Sequence, residues 1–239
     1  MMNLADDVLS HSVQDYLKVI YVQTRGGQPT STVALAAALD IRPASVTNML
    51  QKLADTQPHL VVYRKHHGVT LTPEGEKAAL QIIRRHRLLE QFLYQMLEYP
   101  LEKIHAEAEE LEHAISPFFA ERIAQLLHDP AFDPHGDPIP DRDLNLTDAR
   151  ALVRLSDLRP GESGVVRLIT NQNPELLIYL QTIGVSPGTQ LQMAQVNPMD
   201  GTQQVLILEN GQTQVFGKAT GESIHVEVDR AHEVISSNK

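Results

Sequence analysis

The hydrophobic pattern of this chain differs between its two parts, and that difference limits the fold more than any other feature. Up to about residue 140, apolar residues recur mainly at helical spacing. Beyond about residue 153 they fall in short runs separated by Pro-Gly, Asp-Gly and Asn-Gly pairs, which are typical of turns between strands. The sequence therefore predicts a mainly α N-terminal part, a polar linker over 141–153 and a small β-barrel over 154–239.

The first 73 residues have the pattern of a winged helix. The apolar stripe in SVQDYLKVIYVQ predicts a helix over 12–23, and the next segment carries two helical patterns broken at Asp40-Ile41-Arg42, with Pro43 at the start of the second. LVVYRKHHGVTLTPEG then reads as two short strands around a basic, glycine-containing turn. The order indicates a helix-turn-helix followed by a hairpin wing, which is a DNA-binding arrangement.

Seven polar residues are candidates for contact with DNA phosphates and base edges. They lie at the start of the second helix of the pair and in the wing: Arg42, Ser45, Thr47, Asn48, Gln51, Arg64 and Lys65. The formal charge of −10 does not exclude this partner, because residues 1–75 hold six Lys/Arg and six Asp/Glu and the rest of the chain carries the whole excess. A winged helix that binds protein, or a helical hairpin with a solvated face, remains the alternative.

The segment 74–140 is predicted to be helical. Thr72-Pro73-Glu74 supplies an N-cap, a proline and an early acid for a long helix to about Tyr94; a second helix begins near Pro100 and a third after Ser116. The apolar positions of the last two are expected to serve both an intrachain core and a symmetric dimer interface. These positions are Leu111, Ile115, Phe118, Phe119, Ile123, Leu126 and Leu127.

Histidines and glutamates form stripes on two of these predicted helices. In HAEAEELEH, the residues His105, Glu109, Glu112 and His113 have spacings that place them on one helical face, and His86 and Glu90 are four apart on the preceding helix. The chain has no cysteine, so a metal would be held by nitrogen and oxygen atoms. Such ligands suit octahedral Mn²⁺ or Fe²⁺ and also bind Co²⁺, Ni²⁺ or Zn²⁺. The alternative is an exposed acidic face with incidental histidines.

The order of these motifs resembles the diphtheria-toxin-repressor family of metal-dependent transcriptional regulators, including its manganese-transport-regulator branch. VQDYLKVIY, RRHRLLEQFL and IHAEAEELEH carry the resemblance, and PHGDPIP (134–140) supports it. The resemblance covers nearly the whole chain. It implies a metal-binding and dimerisation domain over 74–140 and a C-terminal domain that is an SH3-like (FeoA-like) barrel.

The resemblance also implies two metal sites. The principal site would consist of Asp15, Glu109, Glu112 and His113, and the ancillary site of His86, Glu90 and His105, with Glu175 of the barrel as a further candidate. Asp15 and Glu109 stand where the iron regulators usually have Met and Cys. Replacing sulfur donors by carboxylates favours a harder ion, so the resemblance implies Mn(II) first and Fe(II) second, with Co(II), Ni(II), Zn(II) or Cd(II) as substitutes in vitro.

One residue departs from the small manganese regulators of this family. Lys18 stands where they usually have a Glu that helps to build a two-ion cluster. We therefore expect two separated sites in this chain rather than a closely bridged pair of ions.

These features lead to a function. We expect a homodimeric repressor of metal-uptake genes that binds a palindromic operator in double-stranded DNA when a divalent ion is bound. No apolar run reaches the ~20 residues of a membrane span, and MMNLADDVLS lacks the features of a signal peptide, so a cytoplasmic protein without membrane contact is expected. The alternatives are an Fe(II)-responsive regulator, a carboxylate-bridged metalloenzyme, and a metal-blind winged-helix regulator whose barrel binds a protein.

Overall fold

The computed structural model describes residues 9–146 and 148–228 of the 239-residue chain. Two compact units are present. The first contains the described residues up to Leu89 together with Glu109–Asp129 and Ile139–Leu146, and the second contains Glu90–Ala108, Pro130–Pro138 and the described residues from 148 onward. The units thus interleave along the sequence, and the consecutive domains 1–73, 74–140 and 154–239 stay a prediction.

The predicted winged helix is present in the first unit. Its elements are α1 (His11–Thr24), α2 (Thr32–Ala38), α3 (Pro43–Asp55), β1 (Val61–Arg64) and β2 (Gly68–Leu71). The Ser31 hydroxyl caps α2 by accepting from the Ala34 amide, and Pro43 opens α3. The antiparallel register pairs Val61 with Leu71. Local capping and turn signals therefore set the positions of these elements.

The core of this winged helix is built around α1. Leu17, Ile20, Leu35, Val46 and Leu50 are fully buried and belong to one apolar cluster, which brings α1, α2 and α3 together. Burial of each such side chain is worth ~1.5–3 kcal/mol. The inward face of α1 therefore packs into the winged-helix core, and its other face is left for polar residues.

Three further helices follow: α4 (Pro73–Leu97), α5 (Leu101–Leu111) and α6 (Pro117–Leu126). Thr72 caps α4 by accepting from the Gly75 amide, and Ser116 caps α6 by accepting from the Phe119 amide. One expectation was wrong: α5 ends at Leu111, whose carbonyl accepts from the amides of Ala114 and Ile115 in a turn. Glu112 and His113 therefore lie in the turn after the helix and do not continue its face.

The C-terminal part is a six-stranded antiparallel sheet with strand order β3-β8-β4-β5-β6-β7. Its elements are β3 (Leu152–Arg154), a 3₁₀ helix (Leu155–Asp157), β4 (Ser163–Ile169), α7 (Pro174–Thr182), β5 (Gln190–Val196), β6 (Gln203–Ile207), β7 (Gln212–Phe216), α8 (Lys218–Ser223) and β8 (Ile224–Val228). Alternate residues such as Leu191 and Met193, and Val205 and Ile207, are fully buried. The expected fold class is confirmed, although the pattern did not predict the short β3 and α8.

Among the residues that the structure describes, no helix has both the length and the apolar character needed to cross a membrane.

Candidate metal centre and nucleic-acid interface

Asp15, Glu112 and His113 converge in the first unit. One ligand atom from each lies within 4.8 Å of the others, so the three side chains could share one ion. His113 Nε2 is 2.9 Å from Asp15 Oδ1 and 3.6 Å from Glu112 Oε1. Asp15 comes from α1, whereas Glu112 and His113 come from the turn before α6. The cluster therefore joins the winged helix to the segment that leads into α6.

Glu112 is the most deeply buried member of this cluster. Its side chain is 0% exposed, and its two oxygens have different partners: His86 Nδ1 is 2.5 Å from Oε2, and Lys18 Nζ is 2.6 Å from Oε1. Burial alone would raise the pKa of Glu112, but the hydrogen bond and charge of His86 and the charge of Lys18 bring it below its usual value. Glu112 is therefore a carboxylate that depends on neighbouring positive charge.

Glu109 of α5 is not part of the group formed by Asp15, Glu112 and His113, but it contacts the same lysine as Glu112. Its Oε1 is 2.7 Å from Lys18 Nζ and 3.9 Å from His86 Nδ1. Burial lowers the pKa of Lys18, but the two glutamates outweigh it and raise the pKa above its usual value, so the ammonium is charged at neutral pH. The predicted ligands Glu109 and Glu112 thus both contact Lys18, which in the sequence is notable only as a departure from a family pattern.

His113 is oriented by groups that sequence reasoning missed. Its Nδ1 is 3.0 Å from Gln14 Oε1, and because that oxygen only accepts, Nδ1 is the donor of this contact. Gln14 Oε1 also accepts from Arg85, and the side-chain nitrogen Nε2 of Gln14 donates to the Leu9 carbonyl. His11 stacks on His113 with 4.7 Å between ring centroids. This support directs Nε2 towards Asp15, 2.9 Å from its Oδ1, and Nδ1 away from it.

Burial and neighbouring positive charges have opposite effects on the pKa of Asp15. Burial raises its pKa above the usual value, and the charges of His113 and Lys18 only partly oppose this rise. Replacing a proton at such a carboxylate by a divalent cation relieves the same electrostatic penalty. The donor set around Asp15 therefore fits a bound cation.

The residues predicted for an ancillary site make two different sets of contacts. His105 Nδ1 lies 3.1 Å from Glu90 Oε1, as a shared site would require. His86 instead faces Glu112 and Glu109 of the predicted principal set. Glu175 is exposed in the first turn of α7 and belongs to none of the three His and carboxylate groups found among residues 9–146 and 148–228.

A buried cluster in the second unit includes two residues that the sequence analysis did not select. Ligand atoms of Glu90, Asp133 and His135 lie within 4.8 Å of one another, and the three side chains are only 1%, 5% and 0% exposed as residues. Asp133 Oδ1 accepts from the amides of His135 and Asp137, both at 2.9 Å, so one carboxylate oxygen fixes the loop. The available signal was the Asp-x-His spacing in the loop DPHGDPIP.

The loop that carries His135 is held rigidly. Arg150 donates to the carbonyls of Gly136 and Arg167, and its guanidinium lies 3.8 Å from the ring centroid of Phe132. Gly136 has φ +95°, and a Cβ there would overlap the Arg167 carbonyl oxygen. The His135 carbonyl accepts from the Ile169 amide of β4. These contacts position His135 through the backbone.

The predicted DNA-binding residues lie at the N-cap of α3, along α3 and in the wing, and two of them, Thr47 and Lys65, line a groove. Six of the seven are exposed: Arg42, Ser45, Asn48, Gln51, Arg64 and Lys65. Thr47 is half-buried, and its hydroxyl donates to the Pro43 carbonyl. A groove of about 360 Å³ is lined by Ser31 and Thr32 of the α2 start, by Thr47, and by Lys65, His66 and His67 of the wing. Cationic and hydrogen-bonding groups therefore line the surface between α3 and the wing, as phosphate contact requires.

The apolar residues of the predicted dimer interface divide into two sets. Phe118, Phe119 and Leu126 are 76%, 49% and 51% exposed, whereas Ile123 and Leu127 are buried. Leu111 and Ile115 are intermediate. The first set forms an apolar surface along α6, and the second belongs to the intrachain core, which agrees with the dual role expected from the sequence.

Three sequence models of known domains match consecutive parts of this chain. Residues 8–69 match the iron-dependent repressor N-terminal DNA-binding domain, residues 72–141 match the iron-dependent repressor metal-binding and dimerisation domain, and residues 153–228 match the FeoA domain. The helical segments and the C-terminal sheet thus each have a counterpart in known proteins.

Curated relatives agree with these matches. The chain is 40% identical over 116 residues to the HTH-type transcriptional regulator MntR of Lysinibacillus sphaericus (strain C3-41), covering 48% of this chain and 81% of that protein. It is 38% identical over 118 residues to MntR of Bacillus subtilis (strain 168), covering 48% and 80%. These relatives are transcriptional regulators and not enzymes.

Solved structures extend the similarity to the C-terminal part. A manganese-dependent transcriptional repressor in complex with manganese is 36% identical, with a TM-score of 0.82 over 91% of this chain and 100% of that one. The repressor ScaR with bound Zn²⁺ is 30% identical, with a TM-score of 0.75 over 90% and 98%. The chain therefore belongs to the diphtheria-toxin-repressor and MntR family of metal-dependent, DNA-binding transcriptional regulators, and it carries a C-terminal FeoA domain.

Proposed function

We propose that this protein is a homodimeric cytoplasmic repressor that Mn(II) activates for binding to a palindromic operator in double-stranded DNA. The carrying observation is the meeting of Asp15 on α1 with Glu112 and His113 before α6. Together with Glu109, these residues are the proposed ligands of the principal centre. Asp15 comes from the winged helix, and Glu112 and His113 come from the turn before α6. An ion bound by all three would therefore connect the winged helix to the helix that carries the apolar surface.

The donor set supports the choice of metal. Three carboxylates and one imidazole are hard or intermediate ligands, and they favour Mn(II) first and Fe(II) second. Co(II), Ni(II), Zn(II) and Cd(II) are expected to bind in vitro, because the preference among such ions is graded rather than absolute. The similar repressors solved with manganese, Zn²⁺ and Cd²⁺ support a site of this kind.

A second metal centre is proposed at Glu90, Asp133 and His135. Ligand atoms of two carboxylates and an imidazole lie within 4.8 Å of one another there, and these oxygen and nitrogen donors suit a divalent cation. His105, 3.1 Å from Glu90, is a further ligand or an orienting group for that carboxylate. This proposal replaces Glu175 with two loop residues as partners of Glu90.

Control of DNA binding follows from the two faces of α1. Leu17 and Ile20 pack into the winged-helix core, and Asp15 belongs to the proposed centre. A bound ion supplies positive charge that fixes the carboxylates in one geometry, so the orientation of α1 is fixed with them. In a dimer, two reading heads must meet half-sites about one helical turn apart, and a change of orientation is therefore felt at both. Moving the population from mostly incompetent to mostly competent requires ~5.5 kcal/mol of differential metal affinity.

The test uses DNA selected by the protein itself. A random double-stranded library is selected with the full chain in Mn(II), and binding of the recovered DNA is measured by fluorescence anisotropy with Mn(II), Fe(II) under anaerobic conditions, Zn(II) or chelator. We expect tight binding with Mn(II), weak binding in chelator, and loss of the metal response in Glu109→Ala. Glu110→Ala is the control because Glu110 is exposed and adjacent.

Equal DNA affinity with and without Mn(II), for wild type and Glu109→Ala alike, would contradict the proposal. A stronger response to Fe(II) than to Mn(II) would favour the iron-responsive alternative. That alternative has support in the oxygen and nitrogen donors, which Fe(II) also accepts.

A further inference from the structure

Lys18 places a positive charge inside the proposed principal centre. It lies one turn after Asp15 on α1, and its ammonium is 2.7 Å from Glu109 Oε1 and 2.6 Å from Glu112 Oε1. The Lys18 side chain is only 13% exposed; that of Glu112 is 0% exposed, and that of Glu109 is 38% exposed. The Lys18–Glu112 contact is therefore unlike a surface ion pair, in which solvent and salt weaken the attraction.

The ammonium and a metal ion would use the same atoms. Lys18 occupies one oxygen of Glu109 and one of Glu112, and His86 lies against the other oxygen of Glu112 at 2.5 Å. A divalent ion that coordinates Glu112 therefore shares an oxygen with one of these donors or displaces it. Two cations that share one carboxylate within a few ångströms also repel each other.

The net charge of the site also suits a single divalent ion. Asp15, Glu109 and Glu112 carry three negative charges when ionised, and Lys18 reduces the total to two, which one divalent ion neutralises. The Lys18 ammonium lies within hydrogen-bond distance of two of these three carboxylates. Its charge is thus a built-in component of the site.

We propose that Lys18 is a tethered cation that competes with the divalent ion for Glu109 and Glu112, and that it thereby lowers the metal affinity of the principal centre and limits it to one ion. This inference rests on the proposed function, because it assumes that these glutamates are metal ligands. It assigns to Lys18 the setting of the metal concentration at which the regulator responds. In a purely structural role, Lys18 would hold the glutamates in place for the metal, and its removal would weaken metal binding.

The experiment measures metal binding to the full chain without DNA. Metal-stripped protein is titrated with Mn(II), and free Mn(II) is followed by its electron paramagnetic resonance signal. All chains carry Glu90→Gln, so that the titration reports the principal centre. Lys18→Met is compared with the unchanged lysine and with Lys103→Met, which removes the same charge from an exposed position on α5. We expect Lys18→Met to bind Mn(II) at least about tenfold more tightly, since a like charge has been removed beside the ion, and Lys103→Met to bind as the parent does.

A second variant tests the number of ions. Lys18→Glu changes the total charge of the site from two negative to four negative, which two divalent ions would balance. Native mass spectrometry in Mn(II) should find one more ion per chain than in the parent, and Lys103→Glu should add none.

The outcomes separate this inference from the proposed function. Unchanged or weaker binding by Lys18→Met, or an unchanged ion count in Lys18→Glu, overturns the role of Lys18 while the regulatory site stands. If the parent with Lys18 binds no Mn(II) at this centre, the proposed function fails and the inference fails with it. If Lys18→Met does not fold, the ion count of Lys18→Glu still decides.

Discussion

Glu112→Gln is the substitution whose consequences the structure defines most fully. Glu112 is wholly buried and accepts from two charged or chargeable donors, Lys18 at 2.6 Å and His86 at 2.5 Å. Glutamine keeps the shape but has one accepting oxygen, so its NH₂ group must face one of the two donors. Breaking a buried charged pair costs ~3–5 kcal/mol. Because Lys18 keeps Glu109, we expect about 3 kcal/mol, at the lower end of that range.

This loss is measurable without metal. For a chain of this size, 1 kcal/mol corresponds to a Tm shift of ~2–4 °C, so the helical part of Glu112→Gln should unfold roughly 6–12 °C below wild type in chelator. The matched control is Glu110→Gln, which changes the same group two residues away at an exposed position and should leave Tm within about 1 °C. Circular dichroism at 222 nm follows the transition.

Adding Mn(II) and changing pH give two further readings of the same variant. Wild type should gain ~2.7 kcal/mol when Mn(II) is present at about 100 times its Kd, and Glu112→Gln should lose the share of this gain that comes from the principal centre. The pKa of Glu112 is below its usual 4.5 in the folded chain, so its stabilising effect is fully present above pH 4.5 and is lost as pH falls through the folded-state pKa. A Tm equal to that of Glu110→Gln in chelator, together with an equal response to Mn(II), would refute this reasoning.

Three more predictions concern other parts of the molecule. Gly136→Ala should destabilise the second unit more than Gly161→Ala. Both glycines have positive φ (+95° and +91°), but only a Cβ at Gly136 would overlap a backbone carbonyl, that of Arg167. The free energies of unfolding in urea should differ by at least about 2 kcal/mol between the two variants, and equal values would show that the close approach is unimportant. Lys65→Ala should weaken binding to all DNA sequences alike and reduce the slope of log K against log salt by about 1, and an unchanged slope would remove Lys65 from the phosphate contacts. Burial lowers the pKa of His225 below its usual 6.5, so the folded chain favours the neutral imidazole. Stability is therefore lost as pH falls below 6.5 through the folded-state pKa. The Tm of His225→Gln should change less between pH 7 and 5 than that of wild type, and parallel Tm profiles would contradict this.

The elements of the winged helix could be predicted because their signals are local. Pro43 at the start of α3, Thr72 before α4 and Ser116 before α6 each act within one turn of their own position, and the structure has a helix start at each. The hairpin likewise follows from two short runs around Gly68. Such signals need no knowledge of what packs against them.

The extent of α5 could not be predicted in the same way. The spacing of Glu109, Glu112 and His113 suggested one continuous helical face, and the helix ends at Leu111. The turn after it still brings Glu112 and His113 to Asp15. Spacing thus indicated which residues converge, while the geometry that achieves it depends on contacts with α1, which is distant in sequence.

The Glu90, Asp133 and His135 cluster shows the limit more clearly. Asp133 and His135 were visible as an Asp-x-His pair in a loop, but only burial distinguishes them from the many exposed acids and histidines of the chain. Arg150 donates to the Gly136 carbonyl of this loop, 14 residues before it, and to the Arg167 carbonyl of β4. The burial of the loop thus depends on residues that are distant from it in the sequence. No local pattern encodes that enclosure.

The two faces of α1 connect metal choice to DNA reading through a single element. Leu17 and Ile20 are fully buried in the winged-helix core, so α1 cannot rotate without disturbing α2 and α3. Asp15 and Lys18, one turn apart, lie against Glu112 and His113. Any cation that replaces the ammonium at Glu112 therefore changes the forces on a helix that is rigidly joined to the DNA-reading unit. Lys18 and Asp15 are both on α1, so displacement of the Lys18 ammonium and coordination of the ion by Asp15 both act on that helix. DNA binding can therefore respond to metal without any change in the packing of the winged-helix core.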